Sequence, residues 1–250
     1  MLVGMHLDRP KWAALTGRPP ERPFRPDRRR PPFSRLSPRT RRILFLVGIP
    51  LVALVLVMTL VLSSGPGLQK WPEGTTHGPW RAVFHGEGFV GGDDGKVILE
   101  PRRSLQPSET HAALVVSVGS YGDLDYRLQT RTTQQLRQPT PNSWEVSWVL
   151  WHYTDSQHFY YVALKPTGWE LGKEDPAYPG AQRFLATGLP AYPVGPWYDV
   201  EIRQSGPTMS VTVDDKQLVT FTDEERPYLA GSVGLYNEDA HTEYRNVTVQ

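Results

Sequence analysis

Cysteine is absent from this 250-residue chain. No disulfide staple and no thiolate metal site can be built, so stability must come from a packed core. From about residue 79 to the end there is also no convincing amphipathic helix. The common catalytic templates are missing as well: no G-x-S-x-G, no P-loop, no G-x-G-x-x-G and no H-E-x-x-H. The reactions that those motifs serve are left without a candidate. No tandem repeat is found.

Net charge is nearly absent too, at +1, but the balance is uneven along the chain. Residues 1–42 hold 12 Lys/Arg against three acids, and the remainder holds 15 against 23. Such a split suggests segments that live in different environments. Between them, residues 43–62 (ILFLVGIPLVALVLVMTLVL) run for 20 residues without a charge. At about 1.5 Å per residue they span about 30 Å, the hydrocarbon thickness of a bilayer, and Pro50 is tolerated in a membrane helix. A cleaved signal peptide is the rival reading. Its apolar core is normally about 7–15 residues, and only Ser63, Ser64 and Gly65 offer a small-residue site. Arg41-Arg42 loosely resembles a twin-arginine export signal, but so apolar a core argues against that route.

The expectation is an uncleaved single transmembrane helix. The basic flank keeps the N-terminus cytoplasmic and leaves the acidic C-terminal part outside the cell membrane. Proline interspersed with arginine (RPPERPFRPDRRRPPF) makes residues 1–42 a disordered tail. Its expected contact is anionic lipid headgroups and not nucleic acid. Residues 63–78, rich in Gly, Pro and Ser, read as a linker.

Residues 79–250 read as one all-β domain. Short β-like runs, among them Trp80–Phe84, Lys96–Glu100 and Ser143–His152, recur at roughly 8–12 residue intervals, separated by Gly, Pro, Asn or Asp, as in a β-sandwich or jelly roll. The runs from Trp197 onward are the clearest: two hairpins, a turn and a closing pair. Val200, Ile202, Met209, Val211, Val213, Leu218 and Phe221 are the core candidates, and Asp214-Asp215 is a tight turn. The densest stretch is 142–175, NSWEVSWVLWHYTDSQHFYYVALKPTGWELGKED, with eight of the 27 aromatic residues. It reads as a hairpin and a third strand, apolar on both faces. Such a strand is either central in a sandwich or lines a binding groove.

A Trp-opened strand, V-T-V-D at a hairpin, G-S-V-G-L-Y and a terminal Y-R-N-V-T-V follow one another. In that order they resemble the C-terminal half of concanavalin A-like lectin/glucanase jelly rolls. More narrowly the chain is similar to bacterial domains grouped with family 16 glycoside hydrolases and 3-keto-disaccharide hydrolases. WHYTDSQHFYYVALKPTGWELGK fits that family's central hairpin, and the resemblance covers about residues 76–250. It implies a concanavalin A-like β-sandwich and carbohydrate as ligand. It also implies a structural calcium between the N- and C-terminal strands, for which Asp93, Asp94, Asn237, Glu238 and Asp239 are hard oxygen ligands in turns near those ends. Turn chemistry accounts for the same residues without a metal.

Glycoside hydrolysis commonly needs two carboxyl groups about 5–9.5 Å apart. The family 16 signature E-x-D-x-x-E is absent; Asp123 and Asp125 share a strand face, but Leu128 stands at the third position. The candidate acids or nucleophiles are Glu145, Glu170 and Asp125; Glu174 and Asp175 are further carboxylate candidates near the aromatic stretch, read with Lys173 as the loop leaving the sheet. On the central hairpin the odd positions Glu145, Ser147, Trp151 and Tyr153 are expected to line a sugar groove. The even positions Trp144, Val146, Trp148 and Leu150 are expected to pack the core. Trp151, Tyr153, Tyr160 and Trp169 would be stacking platforms, while Glu145, His152 and Lys173 would orient hydroxyls. His152 and His158 lack a third ligand for zinc. The functional expectation is a membrane-anchored, extracytoplasmic carbohydrate-binding domain. A glycoside hydrolase and a protein-contact domain are the alternatives.

Overall fold

A computed structural model describes residues 67–93 and 95–250. The basic tail 1–42, the apolar segment 43–62, residues 63–66 of the linker and Asp94 lie outside the described residues. No helix among the described residues is long and apolar enough to cross a membrane.

The described residues build sixteen strands. The first five are β1 (Gln69–Lys70), β2 (Thr76–His77), β3 (Trp80–Phe84), β4 (Phe89–Asp93) and β5 (Lys96–Glu100). Then come β6 (Ala112–Ser117), β7 (Leu124–Gln135), β8 (Ser147–Asp155), β9 (His158–Lys165), β10 (Gly168–Glu174) and β11 (Gln182–Gly188). The last five are β12 (Tyr198–Ser205), β13 (Thr208–Val213), β14 (Lys216–Thr222), β15 (Ser232–Glu238) and β16 (Ala240–Val249). They form two eight-stranded sheets. The first runs β1-β4-β5-β16-β7-β12-β13-β14 and the second β11-β10-β9-β8-β15-β6-β3-β2. This is an all-β two-sheet sandwich, consistent with a jelly roll.

The expected runs recur with shifted ends. Trp80–Phe84 and Lys96–Glu100 match end to end, whereas the run read over 143–152 starts at Ser147 and continues to Asp155. Strand pairing begins at Gln69, inside the segment read as a linker. The closing pair is not a pair: β15 lies in the second sheet and β16 in the first. Asp239, at φ +39°, turns the chain between them. Asp214 and Asp215 both take positive φ, at +49° and +61°, which suits the tight β13–β14 hairpin.

The main core lies between the sheets. The first sheet contributes Leu124, Tyr126, Leu128, Val200, Ile202, Met209, Val211 and Val213; Leu218 and Phe221 pack against it, half-buried. The second contributes Val149, Trp151, Tyr160, Val162, Leu164, Trp169 and Leu171. The odd positions 149 and 151 of the central hairpin are therefore its inward face, which reverses the expected phase. A second apolar cluster, with Trp148, Leu150, Phe159, Tyr161 and Ala163, lies on the outer face of the second sheet. Both faces are apolar, so alternation alone could not choose between them.

Candidate functional site on the outer face of the second sheet

Register fixes which side chains share this outer face. Glu170 lies opposite Ala163, Gly172 opposite Tyr161 and Glu174 opposite Phe159. On β8 and β15, Trp148 pairs with Tyr236. The rings of Trp148 and Tyr161 stack at 4.4 Å, and Tyr236 meets Trp148 edge-on at 5.4 Å. A β-carbon at Gly172 would lie 2.3 Å from the Tyr161 hydroxyl oxygen, so only glycine lets that ring cross β10. The Tyr161 hydroxyl then donates to Glu170 Oε1 at 2.7 Å and accepts from Gln182 Nε2 at 2.8 Å. Lys165 Nζ holds the other Glu170 oxygen at 2.5 Å. Phe184, opposite Gly172 on β11, is 60% exposed. Trp144, whose carbonyl accepts the Trp148 indole N–H at 2.8 Å, is 44% exposed. The face thus has a buried aromatic floor and two rings open to solvent.

Its electrostatics single out Glu174. Burial, and secondly the negative charge of Glu238, push its carboxyl up to about 7. Burial also raises Glu238, against the opposing hydrogen bond from the Tyr236 hydroxyl at 2.6 Å. The Tyr161 hydroxyl is driven upward by burial and then by Glu170, and Tyr236 by burial and then by Glu238. Both stay protonated donors. Near neutral pH this face therefore has its two phenol protons committed to Glu170 and Glu238, and one carboxyl, Glu174, poised to gain or lose a proton.

Most residues singled out from the sequence lie elsewhere. Trp151 is 0% exposed and donates its indole N–H to Gln204 Oε1 at 2.7 Å, so it is core between the sheets and not a platform. Trp169 is likewise core, with its N–H on Leu189 O at 3.0 Å. Tyr160 is buried and donates to Asp223 Oδ2 at 2.7 Å. Lys173, fully buried, donates to Asp223 Oδ2 and to the carbonyls of Glu225 and Arg226, leaving it unable to reach a sugar. His152 sits in a bulge at φ +50° with its ring nitrogens on the carbonyls of Tyr228 and Gly122. That bulge moves Tyr153 off the Trp151 face, and Tyr153 stacks on Phe159 in the outer cluster, buried.

The three candidate acids or nucleophiles are not brought together. Glu145 precedes β8 and is buried in an ion pair with Arg137, which also reaches Asp239 at 2.9 Å. Asp125 lies opposite Arg203 on the first sheet, paired with Arg127 and Arg203, and hydrogen bonding to Arg127 holds its carboxyl low. Only Glu170 is on the outer face described above.

The calcium candidates do not assemble either. Asp239 accepts from Ser104 N at 2.6 Å and Ser104 Oγ at 2.9 Å besides Arg137, so its oxygens are taken by donors. Asn237 spends its amide nitrogen on Leu99 O, Ala240 O and Thr242 Oγ1. Its Oδ1 has no partner among the described residues, one oxygen where calcium takes about six to eight. Asp93 is exposed opposite Lys96, three residues along β5 from Leu99, roughly 10 Å away. Among the described residues no group of three or more His, Cys, Asp or Glu could hold a metal ion; the described donors Asp93, Asn237 and Asp239 do not fit calcium.

Sequence reasoning placed Glu174 in a loop, treated Glu238 as turn chemistry and passed over Phe184. The available signal was Gly172 between two acids in E-L-G-K-E: a glycine in a strand marks a close approach from a neighbour, here the Tyr161 ring.

The described residues thus form an all-β sandwich with an aromatic and carboxyl-bearing sheet face. The chain belongs to the 3-keto-alpha-glucoside-1,2-lyase-like domain family, whose model matches residues 61–250. No curated protein matches it. Among solved structures, the fold is similar to the carbohydrate binding module CBM66 from Bacillus subtilis. Identity there is 18% and the TM-score 0.51, over 69% of this chain and 95% of that one. A putative glycosyl hydrolase from Parabacteroides distasonis has 11% identity and a TM-score of 0.46, over 71% and 90% of the two chains. Bacillus licheniformis beta-glucanase has 12% identity and the same score, over 73% and 97%.

Proposed function

We propose that the chain recognises saccharide on the outer face of its second sheet, at the rings of Phe184 and Trp144. The observation that carries this is two large, exposed aromatic side chains, Phe184 and Trp144, on elements that border a face bearing the carboxyls of Glu170, Glu174 and Glu238. Sugars offer C–H faces that stack on rings and hydroxyls that need nearby polar partners. Family membership and the likeness in fold to a carbohydrate-binding module support the same reading. In binding assays with the full chain in detergent and a panel of neutral di- and oligosaccharides, Phe184→Ala with Trp144→Ala should weaken binding by about 5- to 100-fold. Thermal stability should change little, because both rings are largely solvated. Undiminished binding by the double variant, or no binding to any saccharide by the parent, counts against the reading.

A second reading, cleavage, is favoured by Glu174. In a 3-keto glucoside the ketone acidifies the hydrogen at C2. Elimination across C1 and C2 then needs a base for that hydrogen and a proton for the departing oxygen. A carboxyl near 7 can supply the proton and be recharged from water. Glu174 is assigned that role here, and the hydrogen at C2 leaves as a proton to solvent water.

The proposal includes anchorage. Residues 43–62, uncharged and preceded by arginines, would hold the domain on the outer side of the cell membrane, with the basic tail against anionic headgroups inside. Alkaline carbonate extraction should leave the chain in the membrane pellet, and recovery in the supernatant would overturn this part.

A further inference from the structure

A cavity of about 660 Å³ opens at one end of the sandwich, away from the outer face just described. Its walls come from both sheets: Gln69, Trp71, His77, Trp80, Lys96 and Tyr121 are among them, over a floor of valines. The volume is in the usual range for small-molecule sites, roughly 300–1,000 Å³. The mouth stays open because the strands that border it, β1 and β2, are two residues each. β1 can pair there only because β4 carries glycine, since a β-carbon at Gly91 would lie 2.1 Å from the Gln69 carbonyl oxygen.

Three features define what this cavity would accept. First, one wall is aromatic and ordered: the Trp71 and His77 rings stack at 5.0 Å and 6° between planes, with His77 Nε2 set by Thr75 Oγ1 at 2.8 Å. Second, indole donors stand ready. Trp148, Trp151 and Trp169 each donate their N–H to an oxygen. Those of Trp71 and Trp80, both lining the cavity, make no hydrogen bond to another described residue, and neither is among the fully buried atoms without a partner. Third, the charge at the cavity is balanced: Lys96 shares Glu243 with Arg131 and stands opposite Asp93 on the paired strand. With no net positive charge on the walls, phosphate, sulfate and uronate ligands gain little here over a neutral one.

We propose that this end cavity is a second binding site, distinct from the outer face, for a neutral saccharide ring. The ring packs against the Trp71–His77 wall and its hydroxyl oxygens accept from the Trp71 and Trp80 indoles. The end of the sandwich then holds one sugar unit while the outer face engages another.

The test uses the full chain in detergent, labelled with 5-fluorotryptophan, with the Trp71, Trp80, Trp144 and Trp148 resonances assigned by single Trp→Phe variants. Maltose, cellobiose and sucrose are titrated in, with glucuronate as the anionic comparison. Saturable shifts of the Trp71 and Trp80 resonances with at least one neutral disaccharide are expected. His77→Ala should weaken the binding read there about tenfold, and glucuronate should bind no more tightly than the neutral sugars. Gln69→Ala, whose side chain is exposed, should weaken it less and guards against a His77 variant that only unseats Trp71. Shifts confined to Trp144 and Trp148, no saturable shift at Trp71 and Trp80, or glucuronate binding more tightly than the neutral sugars would each overturn the proposal.

Discussion

Replacing Lys173 with methionine is expected to lower the stability of the domain by about 3–5 kcal/mol, a fall in Tm of about 10 °C for a unit of this size. The ammonium is the hub of a buried cluster. It donates to Asp223 Oδ2 at 2.7 Å, Glu225 O at 2.8 Å and Arg226 O at 3.0 Å, and lies 4.8 Å from the centroid of the Tyr228 ring. Methionine keeps the length of the side chain and removes every donor. Asp223 is then a buried carboxylate left with the Tyr160 hydroxyl and the Glu225 N–H. In the parent, burial pushes the Asp223 carboxyl up, but the hydrogen bonds from Lys173 and Tyr160 pull it below its ordinary value. The parent therefore draws stability from this carboxylate above about pH 4 and loses it as pH falls further. Without Lys173 the charged form is disfavoured and protonation relieves the variant. The gap in Tm between parent and variant should be widest at neutral pH and shrink below about pH 4, read by thermal melts across that range. Adding Asp223→Leu should recover part of the loss. A single variant that melts with the parent at pH 7 would sink the account.

Glu174→Gln is expected to cut product release from a 3-keto glucoside by about 10²–10⁴-fold and to abolish the pH limb near 7. The carboxyl in the folded chain titrates at about 7 against a usual 4.5. The parent's proton-donating form is thus lost as pH rises through 7, and glutamine cannot donate at any pH. The same shift has a stability consequence of opposite sign to that of Asp223. A raised carboxyl binds more protons folded than unfolded, so the parent loses stability as pH rises from about 4.5 to 7. Solvent screening at this half-buried position reduces the effect to about 1 kcal/mol. The glutamine variant should therefore melt a few degrees above the parent at pH 8 and level with it at pH 4. A variant that turns over at the parental rate would remove Glu174 from the chemistry, whatever its melting behaviour.

How much of this was legible in the sequence depends on where the partner lies. Strand runs such as WRAVF and KVILE are apolar and bounded by Gly and Pro, so their ends could be read off directly. β4, FVGGD, could not, because its glycines look like a break until β1 is laid against them. The inward phase of β8 is decided by the sheet opposite, through contacts such as Trp151 with Gln204, 53 residues away. K-E-D after Gly172 looks like a solvated loop because it is charged. It is strand to Glu174, since the Lys173 charge is answered by Asp223, 50 residues on. Such pairings leave no periodicity in the local sequence. The exposed rings were hidden for a similar reason: an aromatic residue at an alternating position reads as core, and only the assembled sheet shows that nothing covers Phe184.

The early start of β1 also limits where the domain can work. Pairing begins at Gln69, so in the anchored arrangement proposed above only residues 63–68 join the sandwich to the end of the apolar segment. Fully extended, they reach roughly 20 Å, against roughly 55 Å for a tether over 63–78. On so short a leash the domain would graze the zone next to the bilayer, capturing sugars that diffuse or project into that layer and leaving the outer envelope beyond its reach.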